Sequence, residues 1–459
     1  MLRIVGAAGQ DDLAACLESR TVREYVTTGR LVRTEVLGDA ARAELARAHP
    51  DLGLLPESAR GLVVLEHERI PFPSYPYEWP PEMLHAAAQL TLDLSEELLD
   101  DGLGLKDGTP YNVLFRGPQP VFIDLLSIEK RQPGDPTWLP YAQFVRTFLL
   151  PLLANRHFRI PLEQVLAARR DGLESEDVYR WLSPLRRLLP PFLTLVSLPT
   201  WLGARHDQDD PGIYRKRILR DAEKARFILG AFLRRARRSL SRVAPPKGRS
   251  STWSDYMDSK NYRPEEFAAK EAFLRQAMSD FAPGKVLDVG CNTGHFSVLA
   301  ARGGASVVAI DLDPVVIGGL WRRASAERLD VLPLVVNLTR PTPAMGWRNQ
   351  ECLAFLDRAR GYFDAVFLLA VIHHMLVSER IPLPDILALA AELTRALAVV
   401  EFIAPEDAMF RRLTRGRDYL HSDLTNTLFE SHCRRHFEIV RSQRLGDSHR
   451  WLYLLRKTG

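Results

Sequence analysis

Cysteine is scarce in this chain of 459 residues: Cys16, Cys291, Cys352 and Cys433 have neither the paired spacing of a zinc site nor the density of a disulfide framework. Their scatter predicts a reducing compartment, the cytoplasm. Long apolar runs are missing as well. The nearest, Leu188 to Ala204, is interrupted by Pro190, Pro191 and Pro199, which predicts a buried or interfacial segment and argues against a membrane span. The opening residues, MLRIVGAAGQDDLAACLESR, lack the basic-then-apolar order of a secretion signal. No lysine occurs before Lys106, so that stretch has no ammonium group with which to grip a phosphate.

What the chain does have is length and an uneven charge. At 459 residues it can build two or three domains with cores of their own. Its formal net charge is only +4, yet twelve lysines and arginines stand between Arg215 and Lys247 against Asp221 and Glu223 alone. Leu219, Ala222, Ala225, Leu229, Phe232, Ala236, Leu240 and Val243 recur there at helical spacing, which predicts a basic amphipathic helix. Two readings stand side by side. Residues 215–247 are a solvated face on a helix packed against the N-terminal domain, or a docking surface for an anionic partner such as a carrier protein, a lipid headgroup or a nucleic acid. Nucleic acid ranks last, because no aromatics of the stacking kind are interleaved with the charges.

The most informative stretch is KVLDVGCNTGHFSVLAARGGASVVAIDLDP, residues 285–314. Val286, Leu287 and Val289 read as a strand buried on both faces, Gly290 and Gly294 bracket a turn where side chains would obstruct a ligand, and Phe296 to Ala301 continue as helix. Val307 to Ile310 form the next strand, which ends at Asp311. That acid stands twenty-one residues after Gly290, the spacing that places a carboxylate on ribose hydroxyls. Asp288, two residues before the first glycine, would repel a diphosphate and accept the cation of S-adenosylmethionine.

At these residues the chain resembles class I S-adenosylmethionine-dependent methyltransferases. Their first motif reads (V/L)LDxGCGxG, and this chain departs from it only at Asn292, where glycine is common. Further strands follow at α/β spacing: Val331 to Val336, Phe363 to Ile372, Leu397 to Ile403, then Phe437 to Leu445 and Arg450 to Leu455 as a terminal hairpin. The resemblance covers about residues 250–459 and implies S-adenosylmethionine as cofactor. It implies that Asp288, Gly290, Asn292, Gly294, Asp311 and Leu312 border the cofactor, that Asn337 and Leu338 lie beside the adenine, and that Ala370 stands at the methyl end. Methyl transfer needs an aligned acceptor and removal of its proton, so His373 or His374 is a candidate base and Glu401 a candidate for orienting base or acceptor. The plain alternative is that one histidine caps the strand-to-helix turn and the other packs against it. Trp253, Tyr256 and Tyr262, just before this region, are candidates for a lid over the cofactor or for packing between domains.

The N-terminal half carries a second constellation in LKDGTPYNVLFRGPQPVFIDLLSIEK, residues 105–130. Asp107 and Asn112 have the D-x-x-x-x-N spacing of a kinase catalytic loop, and Asp124 follows on the strand VFID. This resembles the protein-kinase-like and aminoglycoside-phosphotransferase-like fold, with 61–73 as interlobe strand and hinge and 81–102 as the long helix before the loop. The resemblance implies that Asp107 accepts a hydroxyl proton and that Asn112 and Asp124 hold magnesium on ATP. Departures are several: Leu105 replaces the histidine of HxD, Leu125-Leu126 replace Phe-Gly, and there is no glycine-rich loop. The gripping lysine is missing too, and Arg30 or Arg33 would substitute poorly. The expectation is a degenerate kinase fold that binds a nucleotide or the methyl acceptor without transferring phosphate.

Taken together, the expected fold is an α/β Rossmann-like methyltransferase domain, with a mostly parallel seven-stranded sheet ending in an antiparallel hairpin, behind an α+β kinase-like domain. Expected boundaries are 1–243 for the kinase-like domain with its basic helix, 244–264 for a linker or cofactor lid, and 265–459 for the methyltransferase domain. The arrangement is similar to bacterial two-part proteins with a kinase-like N-terminal region. The expected function is methyl transfer to a small-molecule or carrier-linked acceptor, the N-terminal domain binding substrate or partner. A bifunctional kinase-methyltransferase and a non-catalytic adaptor are the alternatives.

Overall fold

The computed structural model describes residues 1–48, 62–203, 218–246, 248, 250–251 and 263–458. It divides into two units, Met1–Tyr77 with Pro81–Pro246, and Glu78–Pro80 with Lys247–Gly459. In the first, β1 (Leu2–Val5), β2 (Thr34–Val36) and β3 (Val63–His67) form an antiparallel sheet with β3 in the middle. Helix α1 (Pro81–Glu97) opens on a proline, whose missing N–H is no loss at a helix start, and buries Leu84, Ala87, Ala88, Leu92 and Leu94. Four short strands follow: β4 (Leu103–Leu105), β5 (Val113–Arg116), β6 (Gln119–Phe122) and β7 (Ile128–Lys130). They pair as β4 with β7 and β5 with β6.

The basic helix forms as α2 (Ala222–Val243) and packs on α1. It starts later than the apolar spacing predicts. Asp221 caps it, its carboxylate accepting from the N–H of Lys224 at 3.0 Å, so Leu219 precedes the helix and Ala222 is exposed. Ala225, Leu229, Leu233, Ala236, Leu240 and Val243 are buried, and Arg237 pairs with Asp93 at 2.8 Å and Glu96 at 2.6 Å. The 188–203 stretch contains no span: Leu195 and Val196 are buried while Leu188, Leu189 and Leu202 are exposed. Among the described residues no helix is long and apolar enough to cross a membrane.

The second unit opens with α3 (Pro264–Phe281) and alternates β8 (Lys285–Val289), α4 (His295–Arg302), β9 (Ser306–Asp311), α5 (Pro314–Glu327) and β10 (Val331–Val335). Then come β11 (Phe363–Leu368), α6 (Ile372–Val377), α7 (Leu383–Leu393), β12 (Thr394–Ile403), α8 (Asn426–Cys433), β13 (Phe437–Arg444) and β14 (Arg450–Lys457). Together the strands make one seven-stranded sheet in the order β10-β9-β8-β11-β12-β14-β13, parallel except for β14, which is antiparallel to both neighbours. Helices cover such a sheet on both faces, which is why every residue of β10 is buried and the central strands carry continuous Val, Leu and Ala. Strand order reverses between β8 and β11, and that reversal opens a crevice at their carboxyl ends. β11 is shorter than its apolar run predicts. It stops at Leu368 because Ala370 turns the chain with a φ of 56°, and Ile372 already begins α6.

Phe402 of β12 is fully buried and stacks on Phe429 of α8, ring centroids 4.6 Å apart. Phe402→Ala should therefore destabilise this unit by about 3–5 kcal/mol, read as a lower urea midpoint.

Candidate functional site

Backbone hydrogen bonds fasten the turn after β8 to the next strand. The N–H groups of Gly290 and Cys291 donate to the carbonyl of Ile310 at 2.8 and 3.0 Å. Gly290, Asn292 and Gly294 have φ values of 66°, 51° and 78°, the left-handed region that glycine enters freely and asparagine tolerates. A Cβ on Gly290 would lie 2.5 Å from Cγ2 of Val371, and one on Gly294 would lie 2.3 Å from Cδ1 of Leu320. Protein neighbours alone thus require both glycines. Gly290 borders the crevice; Gly294 does not, and makes room for α5 instead, which corrects the expectation that a ligand excludes its side chain.

Asp311, at the end of β9, faces this turn. Its Oδ2 accepts from the N–H of Asn292 at 2.9 Å and its Oδ1 from the N–H of Asp313 at 3.0 Å. Burial pushes its pKa above the usual carboxylate value, and the two backbone donors pull it partly back. Asp288 is deeper, 2% exposed, and accepts from Oγ of Ser297 at 2.6 Å. Burial pushes its pKa up to about 7, against the pull of the Ser297 hydroxyl and the Lys270 charge.

These residues line a cavity of about 330 Å³. Of the residues predicted to border a cofactor, Asp288, Gly290, Asn292, Asp311, Leu312, Asn337, Leu338 and Ala370 all line it. Oδ1 of Asn337 already accepts from the N–H and hydroxyl of Thr339, at 3.0 and 2.6 Å, so Nδ2 is the group it has to offer. Oδ1 of Asn292 is buried with no hydrogen-bond partner.

The three candidates for proton chemistry separate. His374 lines the cavity, and burial lowers its pKa below 6.5. His373 does not line it; its ring packs 4.2 Å from that of His374, both its nitrogens are buried without partners, and burial together with the charges of Arg450 and Lys270 pushes its pKa well below 6.5. Glu401 is also away from the cavity. Its carboxylate accepts from Nζ of Lys270 at 2.6 Å and lies 3.7 Å from Nη1 of Arg450, so Lys270, which does line the cavity, connects it to the crevice.

Sequence reasoning missed one wall of the cavity, formed by Phe267, Lys270, His295 and Phe296. The ring of Phe267 lies 4.9 Å from His295 and 5.8 Å from Phe296, and Lys270 Nζ sits 4.9 Å from the Phe296 ring. One signal was available. Lys270 falls in the stripe Phe267, Leu274, Ala277 at helical spacing, where a charge is out of place unless it has a buried partner.

In the first unit, Asp124 pairs with the guanidinium of Arg3. Asn112 follows the loop, its carbonyl accepting from the N–H of Ile123 at 2.8 Å while its Nδ2 is buried without a partner, and Asp107 is exposed. Arg30 is held by Asp93 at 2.7 Å. Trp253, Tyr256 and Tyr262 lie outside the described residues.

Removing the negative charge of Glu401 leaves Lys270 and Arg450 buried without it, so Glu401→Gln should cost about 3–5 kcal/mol of stability, measured by denaturant unfolding. Asp288 generates a pH signature. Its folded pKa of about 7 against 3.8 means that the folded state keeps a proton the unfolded chain releases, so stability falls as pH rises through that window. Asp288→Asn should flatten that part of the profile; an unchanged slope would show that the carboxyl is not protonated in the fold.

Residues 260–446 match the family described as "Methyltransferase domain". Nodulation protein NoeA of Rhizobium meliloti (strain 1021) is 29% identical over 454 residues, spanning 98% of this chain and 93% of NoeA. Among solved structures, the N-methyltransferase NodS from Bradyrhizobium japonicum WM9 in complex with S-adenosyl-l-homocysteine is 14% identical with a TM-score of 0.32, covering 46% of this chain and 100% of NodS. The bifunctional kinase-methyltransferase WbdD is 19% identical with a TM-score of 0.29, covering 44% of this chain and 41% of WbdD. With the family match on the Rossmann-like sheet, the C-terminal half of this chain is an S-adenosylmethionine-dependent methyltransferase domain.

Proposed function

We propose that the crevice beyond β8 and β9 holds S-adenosylmethionine, that the acceptor is a small molecule or a carrier-linked intermediate, and that His374 takes the acceptor's proton. The observation that carries this reading is Asp311, pinned by two backbone donors beside the glycine turn at the reversal of strand order. Two further features fit the cofactor. The buried Oδ1 of Asn292 is an acceptor without a donor, and Gly290 leaves bare backbone facing the cavity.

When bound, the cofactor supplies a methyl group activated by a sulfonium. Asp311 would accept from the ribose hydroxyls through the lone pairs its backbone donors leave. Asn337 would donate from Nδ2 to the adenine edge, between the apolar walls of Leu312 and Leu338. Asp288, buried and near-neutral, places partial negative charge at the turn with less desolvation cost than a full carboxylate. His374 stays uncharged at neutral pH, the state in which an imidazole removes a proton from an alcohol, phenol or amine. His373 packs behind it as a structural neighbour.

We read the first unit as a degenerate kinase-like module that binds the acceptor or a partner. The order of loop, β5–β6 hairpin and Asp124, flanked by the β4–β7 pair, supports that reading. The guanidinium of Arg3 sits on Asp124, where magnesium would need a free carboxylate, which counts against the bifunctional alternative and against Mg·ATP as a ligand. Similarity to NoeA across both units supports their acting in one protein.

The test is transfer of methyl label from S-adenosylmethionine into a cell extract separated into small-molecule, lipid and protein fractions. Label should enter the small-molecule or carrier-linked fraction and vanish with Asp311→Ala, which should also lose binding of S-adenosylhomocysteine. Intact binding by that variant would sink the cofactor assignment. His374→Ala should keep cofactor binding and lower kcat by about 10²-fold or more, whereas a change within a few-fold removes His374 as the base.

A further inference from the structure

Helix α2 meets the rest of its unit with one stripe, and its opposite face is unusual. At about 3.6 residues per turn, Lys224, Phe227, Arg234, Arg235, Arg238 and Arg242 fall away from the buried stripe. All six are exposed, and Phe227 is 71% exposed. Arg226 and Arg237 are spent on Asp100, Asp93 and Glu96. The five cations on the same face as Phe227 pair with no acid among the described residues, and Glu223 is the one acid in the helix.

A second exposed apolar group lies by the C-terminal end of the helix. Arg156 donates to the carbonyl of Ala244, the residue just past the end of α2, and the ring of its neighbour His157 lies 4.9 Å from that of Phe192. The charge of Arg186 acts on the same histidine, and around Arg186 stand Leu185, Leu188 and Leu189, exposed by 71%, 58% and 50%. A lone exposed phenylalanine is ordinary on a protein surface. One on a helix face that carries five unpaired cations along its length, with three exposed leucines beyond the helix end, is the pattern of an interfacial surface.

We propose that this face of the first unit docks on a bilayer of anionic phospholipid, the cations meeting headgroup phosphates and Phe227 and the leucines entering the acyl boundary. Aliphatic side chains decide between lipid and nucleic acid. Leucine cannot stack on a base, and it gains by leaving water for hydrocarbon.

Flotation of the full chain with vesicles tests this. The protein should float with vesicles containing phosphatidylglycerol, remain behind with phosphatidylcholine alone, and come off as salt rises. Arg234→Glu with Arg238→Glu should lower the partition coefficient on the order of 100-fold. Phe227→Ser and Leu188→Ser, which leave the charge unchanged, should each lower it about ten-fold. Unchanged thermal midpoints will show that these surface variants fold. No flotation with phosphatidylglycerol at low salt overturns the proposal, as does undiminished binding by both serine variants. Tighter binding to a single-stranded oligonucleotide than to vesicles would also overturn it, in favour of nucleic acid.

Discussion

Glu401 is fully buried and fastens three elements of the second unit. It stands on β12, receives Lys270 from α3 and faces Arg450 of β14, which in turn donates to Asp407 at 2.9 and 3.3 Å. Two cations and two carboxylates are thereby taken from water as a balanced set, the condition under which buried charge is tolerable at all. Because Lys270 and Phe267 line the cavity on the same helix, this network also fixes one wall of the crevice. A long flexible lysine would otherwise be free to swing across the space a ligand needs.

The glycine turn beside it is fixed by backbone. The turn after β8 takes its position from the carbonyl of Ile310, and the side chain of Asp311 is held by two N–H groups of the same loops. Such a site has little to reorganise when a ligand arrives, since its polar groups are aimed by the sheet itself. Its electrostatics are correspondingly restrained. Of the three acids that line the cavity, Asp288, Asp311 and Glu379, burial leaves Asp288 close to half-protonated at neutral pH, so the cavity is less negative than its sequence suggests.

The sheet was legible because parallel strands buried on both faces write unbroken apolar runs, and the glycine turn because glycine and asparagine enter its left-handed φ values most readily. Strand and helix ends were less so. β11 ends where Ala370 adopts a positive φ, which no residue type announces. The cavity-lining acids and Asn337 follow from position along their strands, since every strand of a parallel sheet delivers its carboxyl end to the same side. Glu401 ends a strand as well, yet its side chain is claimed by Lys270 and Arg450, and pairing across distant segments leaves no local pattern. The same holds for Arg3 on Asp124, more than a hundred residues apart in the chain.

The crevice retains costs that a purely scaffolding domain would have little reason to keep. The buried acceptor of Asn292 has no donor, a deficit of about 1–3 kcal/mol for such a group. Ala370 holds a left-handed φ that costs about 1–3 kcal/mol for a residue with a Cβ. Both lie on the cavity, and glycine at position 370 would relieve the second. An unmet acceptor and a left-handed alanine that both border the crevice are features a bound ligand can use. The first unit offers the contrast: there a cation of the chain itself already covers the acid that a metal would need, and that demand is met from within.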